Sequence, residues 1–224
     1  LRSVYNKAIK RKCVGKEYYP FEDFHINKFN VHTDKRAISK NDVLKIISAD
    51  LTGKSEYVKF SRDIFVFSYL CGGINFCDVA SLTKENILNG RLFYVRQKTG
   101  KQINLCLTKN ASAIIDKYYK GGKGFLFPIL DVTRHITATQ RENRLHKVLG
   151  QVDKSLKIVA QIAKVDVNLT TYVARHSYAT VLKRSGVPTS IICESLGHSS
   201  ERVTQIYLDS FENEQIDEAM KNLL

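Results

Sequence analysis

The sequence predicts a mainly helical domain carrying one small antiparallel β-sheet, an α+β fold. Apolar residues recur at helical spacing in most segments, and caps or breakers bound those segments, with Gly186, Pro188 and Gly197 punctuating the C-terminal third. The stretch 92–107 instead alternates apolar and polar residues about Thr99-Gly100, the pattern of a β-hairpin. Finally, 43% apolar and 25% charged residues in a chain of 224 exclude wholesale disorder and a coiled-coil rod, and a chain of this size buries about 70% of its unfolded surface.

Residues 1–12 read as the end of a helix, with Val4, Tyr5, Ala8 and Ile9 at helical spacing and Lys10, Arg11 and Lys12 at its C-terminal end. One helix cannot bury its own apolar face, so residues 1–14 are expected to close a domain mostly outside this sequence. Gly15 and Tyr19-Pro20 mark 15–35 as a linker. Ser39 caps a helix over 40–49, and a strongly apolar helix over 61–70 stops at Gly72-Gly73. A short helix follows over 76–82. In the hairpin, strand alternation puts Leu92, Tyr94, Arg96 and Lys98 on one face. Helix returns over 109–120, 125–128 is a short buried strand or extended segment, and 134–164 is a long basic helical region. Helices over 172–185, 188–196 and 200–210 complete a domain expected to span 36–210. A tail helix over 211–224 carries Ile216, Met220, Leu223 and Leu224 as an apolar stripe, and its acidic side chains should keep it off any polyanion.

Thirty-five Lys and Arg against 22 Asp and Glu leave a formal charge of +13. Such an excess points to a polyanion, most commonly nucleic acid, with a solvated basic surface as the bland alternative. The region 134–164 holds seven basic residues against Glu142 and Asp153, and Arg134, Arg141, Arg144 and Lys147 are its candidate DNA contacts. Five cysteines without a Cys-x-x-Cys pair read as reduced thiols, and scattered histidines give no metal-ligand spacing, so no metal is expected. No apolar run approaches the ~18 residues needed to span a bilayer. The opening Leu1-Arg2-Ser3 has neither an initiator Met nor a signal-peptide pattern, and the expectation is a fragment of a cytoplasmic, nucleoid-associated bacterial protein.

Thr171-Tyr172-Val173-Ala174-Arg175-His176-Ser177, then Leu196-Gly197-His198-Ser199-Ser200, then Tyr207 nine residues after His198, resemble in order and spacing the tyrosine recombinase, or phage integrase, family. The likeness reaches back through Arg96-Gln97-Lys98-Thr99-Gly100 to the helix at Ser61, and it extends to integrases of conjugative transposons. It implies a recombinase-type catalytic domain preceded by the last helix of a core-binding domain. The implied activity is cleavage and rejoining of double-stranded DNA through a 3′-phosphotyrosyl intermediate, without ATP, metal or other cofactor. Integration or excision of a mobile element is the implied setting, by a homotetramer on DNA that exchanges C-terminal tails; the isolated fragment could be a monomer.

On this reading Tyr207 is the nucleophile. A phenol with pKa near 10 is a weak nucleophile at neutral pH, so cations and donors must gather at the phosphate. Arg175 would grip two nonbridging oxygens, His198 would donate a further hydrogen bond, and Lys98 would protonate the leaving 5′-oxygen. Two positions depart from the family pattern. Gly72-Gly73 stands where the family's first catalytic arginine is expected, and Tyr172 stands where a histidine precedes Arg175 by three residues. Tyr172 could donate to a phosphate oxygen, and Arg96 is the first choice to replace the missing arginine, ahead of Arg62 and Arg91. A DNA-binding relative with impaired catalysis and a type IB topoisomerase-like enzyme are the rival readings. His176 is expected to be a buried core histidine beside Arg175.

Overall fold

The computed structural model describes residues 1–22, 37–122 and 124–208, apart from the side chains of Ile206 and Tyr207. The chain divides into two compact units, Leu1–Lys35 and Arg36–Leu224. The tail helix expected over 211–224 and most of the linker expected over 15–35 lie outside the described residues. In the first unit, helix α1 (Arg2–Lys10) buries none of its residues. Tyr5, Tyr19 and Phe21 meet edge to face at 5.6–6.4 Å, and Arg2 donates to the Tyr19 hydroxyl at 3.2 Å.

The second unit is mostly helical with a small antiparallel sheet. Its centre is α3 (Glu56–Leu70), nine of whose 15 residues are buried. It packs against α2 (Lys40–Ser48), α5 (Lys109–Tyr118), α6 (Ala138–Ile162) and α7 (Thr171–Arg184). The sequence expectation began α3 at Ser61, five residues late. Ser55 is the cap, its Oγ accepting from the Val58 N–H, whereas Ser61 lies inside the helix and donates to the Tyr57 carbonyl at 2.7 Å. The added turn places Phe60 edge-on to Tyr118 at 5.1 Å. Beside it, Asp63 ties α3 to α5 by accepting from Arg62, Lys117 and the Tyr118 hydroxyl.

Helix α4 (Phe76–Ser81) leads into the sheet β1 (Ile87–Leu88), β2 (Arg91–Val95) and β3 (Gln102–Cys106), ordered β1-β2-β3. Asn89 and Gly90, at φ 51° and 72°, form the two-residue turn between β1 and β2. In the register Leu92 pairs with Leu105 and Val95 with Gln102, so Leu92 and Tyr94 face the core. The expected strand to Lys98 ends early, at Val95. The Arg96 carbonyl accepts from the Gly100 N–H at 2.8 Å, which closes a tight turn, and Lys98 sits exposed on it.

Helix α6 opens with a capping box at Thr137 and Gln140 and buries Val148, Val152, Leu156 and Val159 at i, i+4, i+8 and i+11. It begins four residues later than the basic region that announced it. Helices α8 (Thr189–Leu196) and α9 (Glu201–Tyr207) follow α7, and Leu208 closes a small second core with Ala179, Ile192 and Leu196. Among the described residues no helix is long and apolar enough to cross a membrane.

Candidate active site

The turn after α8 gathers three of the predicted residues, Arg175, Arg96 and His198. Gly197, left-handed at φ 61°, ends the helix, and the last carbonyls of α8 point out of it. Arg175, from the middle of α7 and only 2% exposed, donates from Nη2 to the Leu196 carbonyl and from Nη1 to the Gly73 carbonyl at 2.8 Å. Arg96, 4% exposed, donates from Nη1 to the next carbonyl, that of Gly197, at 2.7 Å. Two guanidinium groups thus share successive carbonyls at the negative end of one helix. The following residue is His198, 3% exposed.

Glycines make this approach possible. A Cβ on Gly197 would come within 2.8 Å of Ile103 and 3.2 Å of Arg96 Cδ, and one on Gly73 would come within 2.8 Å of the Arg175 Cα. Gly72, where the family resemblance leads one to expect an arginine, has φ +71°, and a Cβ there would meet Leu105 at 2.7 Å, so an arginine does not fit without a shift of its neighbours. The other proposed stand-ins are engaged elsewhere. Arg62 is paired with Asp63 and donates to the Ile47 carbonyl, and Arg91 donates to Asn104. Arg96 does come to the site, though not as one of two residues on a strand face with Lys98, because the chain has already turned.

Lys98 stands on a turn fastened at both shoulders. Gln97 donates its N–H to Asp78 Oδ1 at 3.0 Å and its side-chain amide to the Cys77 carbonyl and the Ser81 hydroxyl. Thr99 donates to the Gly197 carbonyl at 3.0 Å. Asp78 is a site residue that the sequence reading missed. It is 3% exposed, and burial pushes its carboxyl up, opposed by the Gln97 N–H and by the charges of Arg96 and Arg175. Its Oδ2 and the Nε of Arg96 are both buried without a hydrogen-bond partner among the described residues.

Burial, reinforced by Arg175, Arg96, Lys98 and Lys101, pulls the His198 imidazole down to about 4, so it is neutral at physiological pH. Its Nδ1 lies 2.9 Å from Thr204 Oγ1. With one buried carboxylate against two guanidinium groups and Lys98, the site carries net positive charge and suits an anion.

Tyr172 is 39% exposed in the first turn of α7, with its ring edge-on to His176 at 4.6 Å. His176 is only half-buried, not the fully buried core residue expected, because this first turn of α7 is open to solvent on that face. Tyr172 and Gln97 border a cavity of about 740 Å³ between α4, α6 and α7, whose wall includes Arg141 and His146. Arg134, Arg141 and Lys147 are exposed, whereas Arg144 is half-buried and gives its Nε to the Ile129 carbonyl. The backbone of Tyr207 ends α9, and its side chain lies outside the described residues.

Comparison with known proteins agrees with this architecture. Tyrosine recombinase XerA of Pyrococcus horikoshii is 26% identical over 201 residues, covering 86% of this chain and 65% of the relative. Tyrosine recombinase XerS of Streptococcus pyogenes is 25% identical over 171 residues, covering 72% and 45%. The chain therefore spans less than two thirds of either relative. Among solved structures, a lambda integrase dimer bound to a COC′ core site superposes with TM-score 0.61 at 16% identity, covering 94% of this chain and 72% of that one. The Tn1549 transposon integrase, in complex with a circular intermediate DNA, superposes with TM-score 0.60 at 17% identity, covering 99% and 76%. Residues 36–214 match the phage integrase family over most of the chain, and the chain belongs to that family.

Proposed function

We propose that this chain contains the catalytic domain of a site-specific DNA recombinase that acts through a 3′-phosphotyrosine at Tyr207. The observation that carries the reading is the pair of buried arginines on successive carbonyls beside His198, with exposed Lys98 on a fastened turn. A phosphodiester placed there would accept from Arg175, Arg96 and His198, which offsets the charge of the pentavalent transition state. Tyr207 forms a P–O bond as the bond to the 5′-oxygen breaks. Lys98 gives that oxygen a proton, matching the one the phenol loses. Because one phosphodiester replaces another, the step reverses when a different 5′-hydroxyl attacks.

In this reading residues 36–210 form the catalytic domain, 1–14 close a core-binding domain, 15–35 link the two and 211–224 are exchanged between protomers of a tetramer. Arg134, Arg141 and Lys147 contact the DNA backbone, with Arg144 supporting that face from inside, and Tyr172 donates to the phosphate. Integration or excision of a mobile element is the setting, and the DNA-bound lambda and Tn1549 integrases among the similar structures support it.

A nicked suicide duplex carrying the recombination site tests the reading, since loss of the nicked fragment traps the cleaved state. Wild-type protein should form a covalent adduct. Tyr207→Phe should form none while its DNA affinity stays within a few-fold. An adduct with the Phe variant would assign the nucleophile elsewhere. Absence of an adduct in wild type, with DNA still bound, would favour the catalytically impaired relative that Gly72 raises.

A further inference from the structure

A neutral imidazole donates from one ring nitrogen only, and the partner of the other nitrogen decides which. We propose that Thr204 is a positioning residue that holds His198 as the Nε2–H tautomer and latches the Tyr207 helix to the same ring. The inference rests on the recombinase reading only for what Nε2 donates to.

The geometry gives the direction of the hydrogen bond. Thr204 is completely buried, and its Oγ1 lies 2.9 Å from His198 Nδ1. Among the described residues that ring is the hydroxyl's one hydrogen-bonding partner. If Nδ1 carried the proton, Thr204 would accept it, and its own hydroxyl proton would be buried with nowhere to go. A stranded buried donor costs about 1–3 kcal/mol. If Thr204 donates, its proton is satisfied, Nδ1 accepts and the ring hydrogen sits on Nε2. The neutral state this requires agrees with the burial of the ring and with the four cations around it.

The same bond has a second consequence. Thr204 lies on α9 one turn before Tyr207, while the His198 backbone is fixed to the end of α8 by its N–H to the Cys193 carbonyl at 3.1 Å. Leu208, just past α9, is buried against α7 and α8, and its carbonyl accepts from Lys183. The Thr204 hydroxyl therefore joins the phosphate-binding side chain to the helix that bears the nucleophile. A valine there keeps the shape and loses both effects.

The test is a two-bond ¹H–¹⁵N spectrum of histidine-labelled protein without DNA, with His198 assigned through His198→Gln, alongside single-turnover cleavage of the suicide duplex. Wild type should show His198 protonated on Nε2 with Nδ1 accepting. Thr204→Val should lose that pattern and cleave about 10–100-fold more slowly, the loss typical when a histidine's outer partner is removed from a metal site, at unchanged DNA affinity. Thr204→Ser, which keeps the hydroxyl, should restore both readouts. A wild-type ring protonated on Nδ1, or a Thr204→Val spectrum like wild type, would overturn the proposal, and the first needs no variant to fold. If the spectra behave as expected but wild type forms no adduct, the tautomer assignment stands and the recombinase reading falls.

Discussion

The turn after α8 and the turn after α3 both carry glycines at positive φ, Gly197 at 61° and Gly72 and Gly73 at 71° and 64°, and both present a carbonyl to Arg175. They differ in the side chains beside those glycines. After Gly197 comes His198, whose ring joins the site; after Leu70 and Cys71 come two residues with no side chain. Arg175 donates to the second corner, at the Gly73 carbonyl, while Arg96, carried in by the hairpin, donates to the first, at the Gly197 carbonyl. A hairpin residue distant in sequence thus brings a second guanidinium to the turn that already holds Arg175. Gly72 leaves room for Leu105, and Gly73 leaves room for close packing against Arg175.

The comparison can be broken at the glycines. Gly73→Ala should cause the largest loss, because its Cβ would sit 2.8 Å from the Arg175 backbone, which cannot swing aside. Adding a roughly 1–2 kcal/mol left-handed penalty to an overpacking cost of about 1–3 kcal/mol predicts about 2–5 kcal/mol lost in urea unfolding. Gly197→Ala meets flexible side chains first, Ile103 Cδ1 and Arg96 Cδ, so it should cost less stability but displace Arg96. Gly53, at φ 74° with nothing within 4 Å of an added Cβ, is the control and should show the left-handed penalty alone. Equal losses at Gly73 and Gly53 would mean that close packing on Arg175 is not what the double glycine serves.

A smaller effect sharpens the electrostatic side. His198 is held down at about 4, whereas an unfolded histidine titrates near 6.5. As pH falls through that window the unfolded chain takes up a proton that the folded site refuses, so His198 lowers stability progressively from about pH 6.5 to about pH 4. Asp78 shifts upward, so the folded state takes its proton first and acidification favours folding through that group. The two oppose each other, and the readout is the difference between wild type and His198→Gln in urea unfolding across this range. That difference should grow in the variant's favour as pH drops. A pH-independent difference would show that burial and the surrounding cations do not hold the His198 proton off.

Much of this molecule was legible in the sequence, and the illegible parts share a cause. The ordered run from Tyr172 to Tyr207 carries its own spacing, and local glycines and prolines bounded α7, α8 and α9. The hairpin showed in its alternation, although Asn89-Gly90, a strong turn signal for β1, went unused. Asp78 gave no sign, being one acid among 22 until burial and the Gln97 N–H single it out. Thr204 was hidden in the same way, since its role appears only when the His198 ring lies against it. The start of α3 lies five residues before the expected one because Ser55 caps the helix and its first turn, Glu56 to Lys59, is mostly polar. Above all, the bonds that assemble the site join residues 101 and 102 apart in sequence, a pairing that no periodicity encodes.

On the recombinase reading Arg96 would supply the guanidinium that Gly72 cannot carry. The most direct measurement is the single-turnover cleavage rate of Arg96→Ala on the suicide duplex, with DNA affinity measured in parallel and Arg91→Ala as the control on the same strand. Loss of one donor to a transition-state oxyanion costs about 10²–10³ in rate. A fall of that order is expected for Arg96→Ala with affinity within a few-fold of wild type, and no comparable fall for Arg91→Ala. Cleavage by Arg96→Ala at the wild-type rate would contradict it and leave Arg175 as the one guanidinium that the reaction uses.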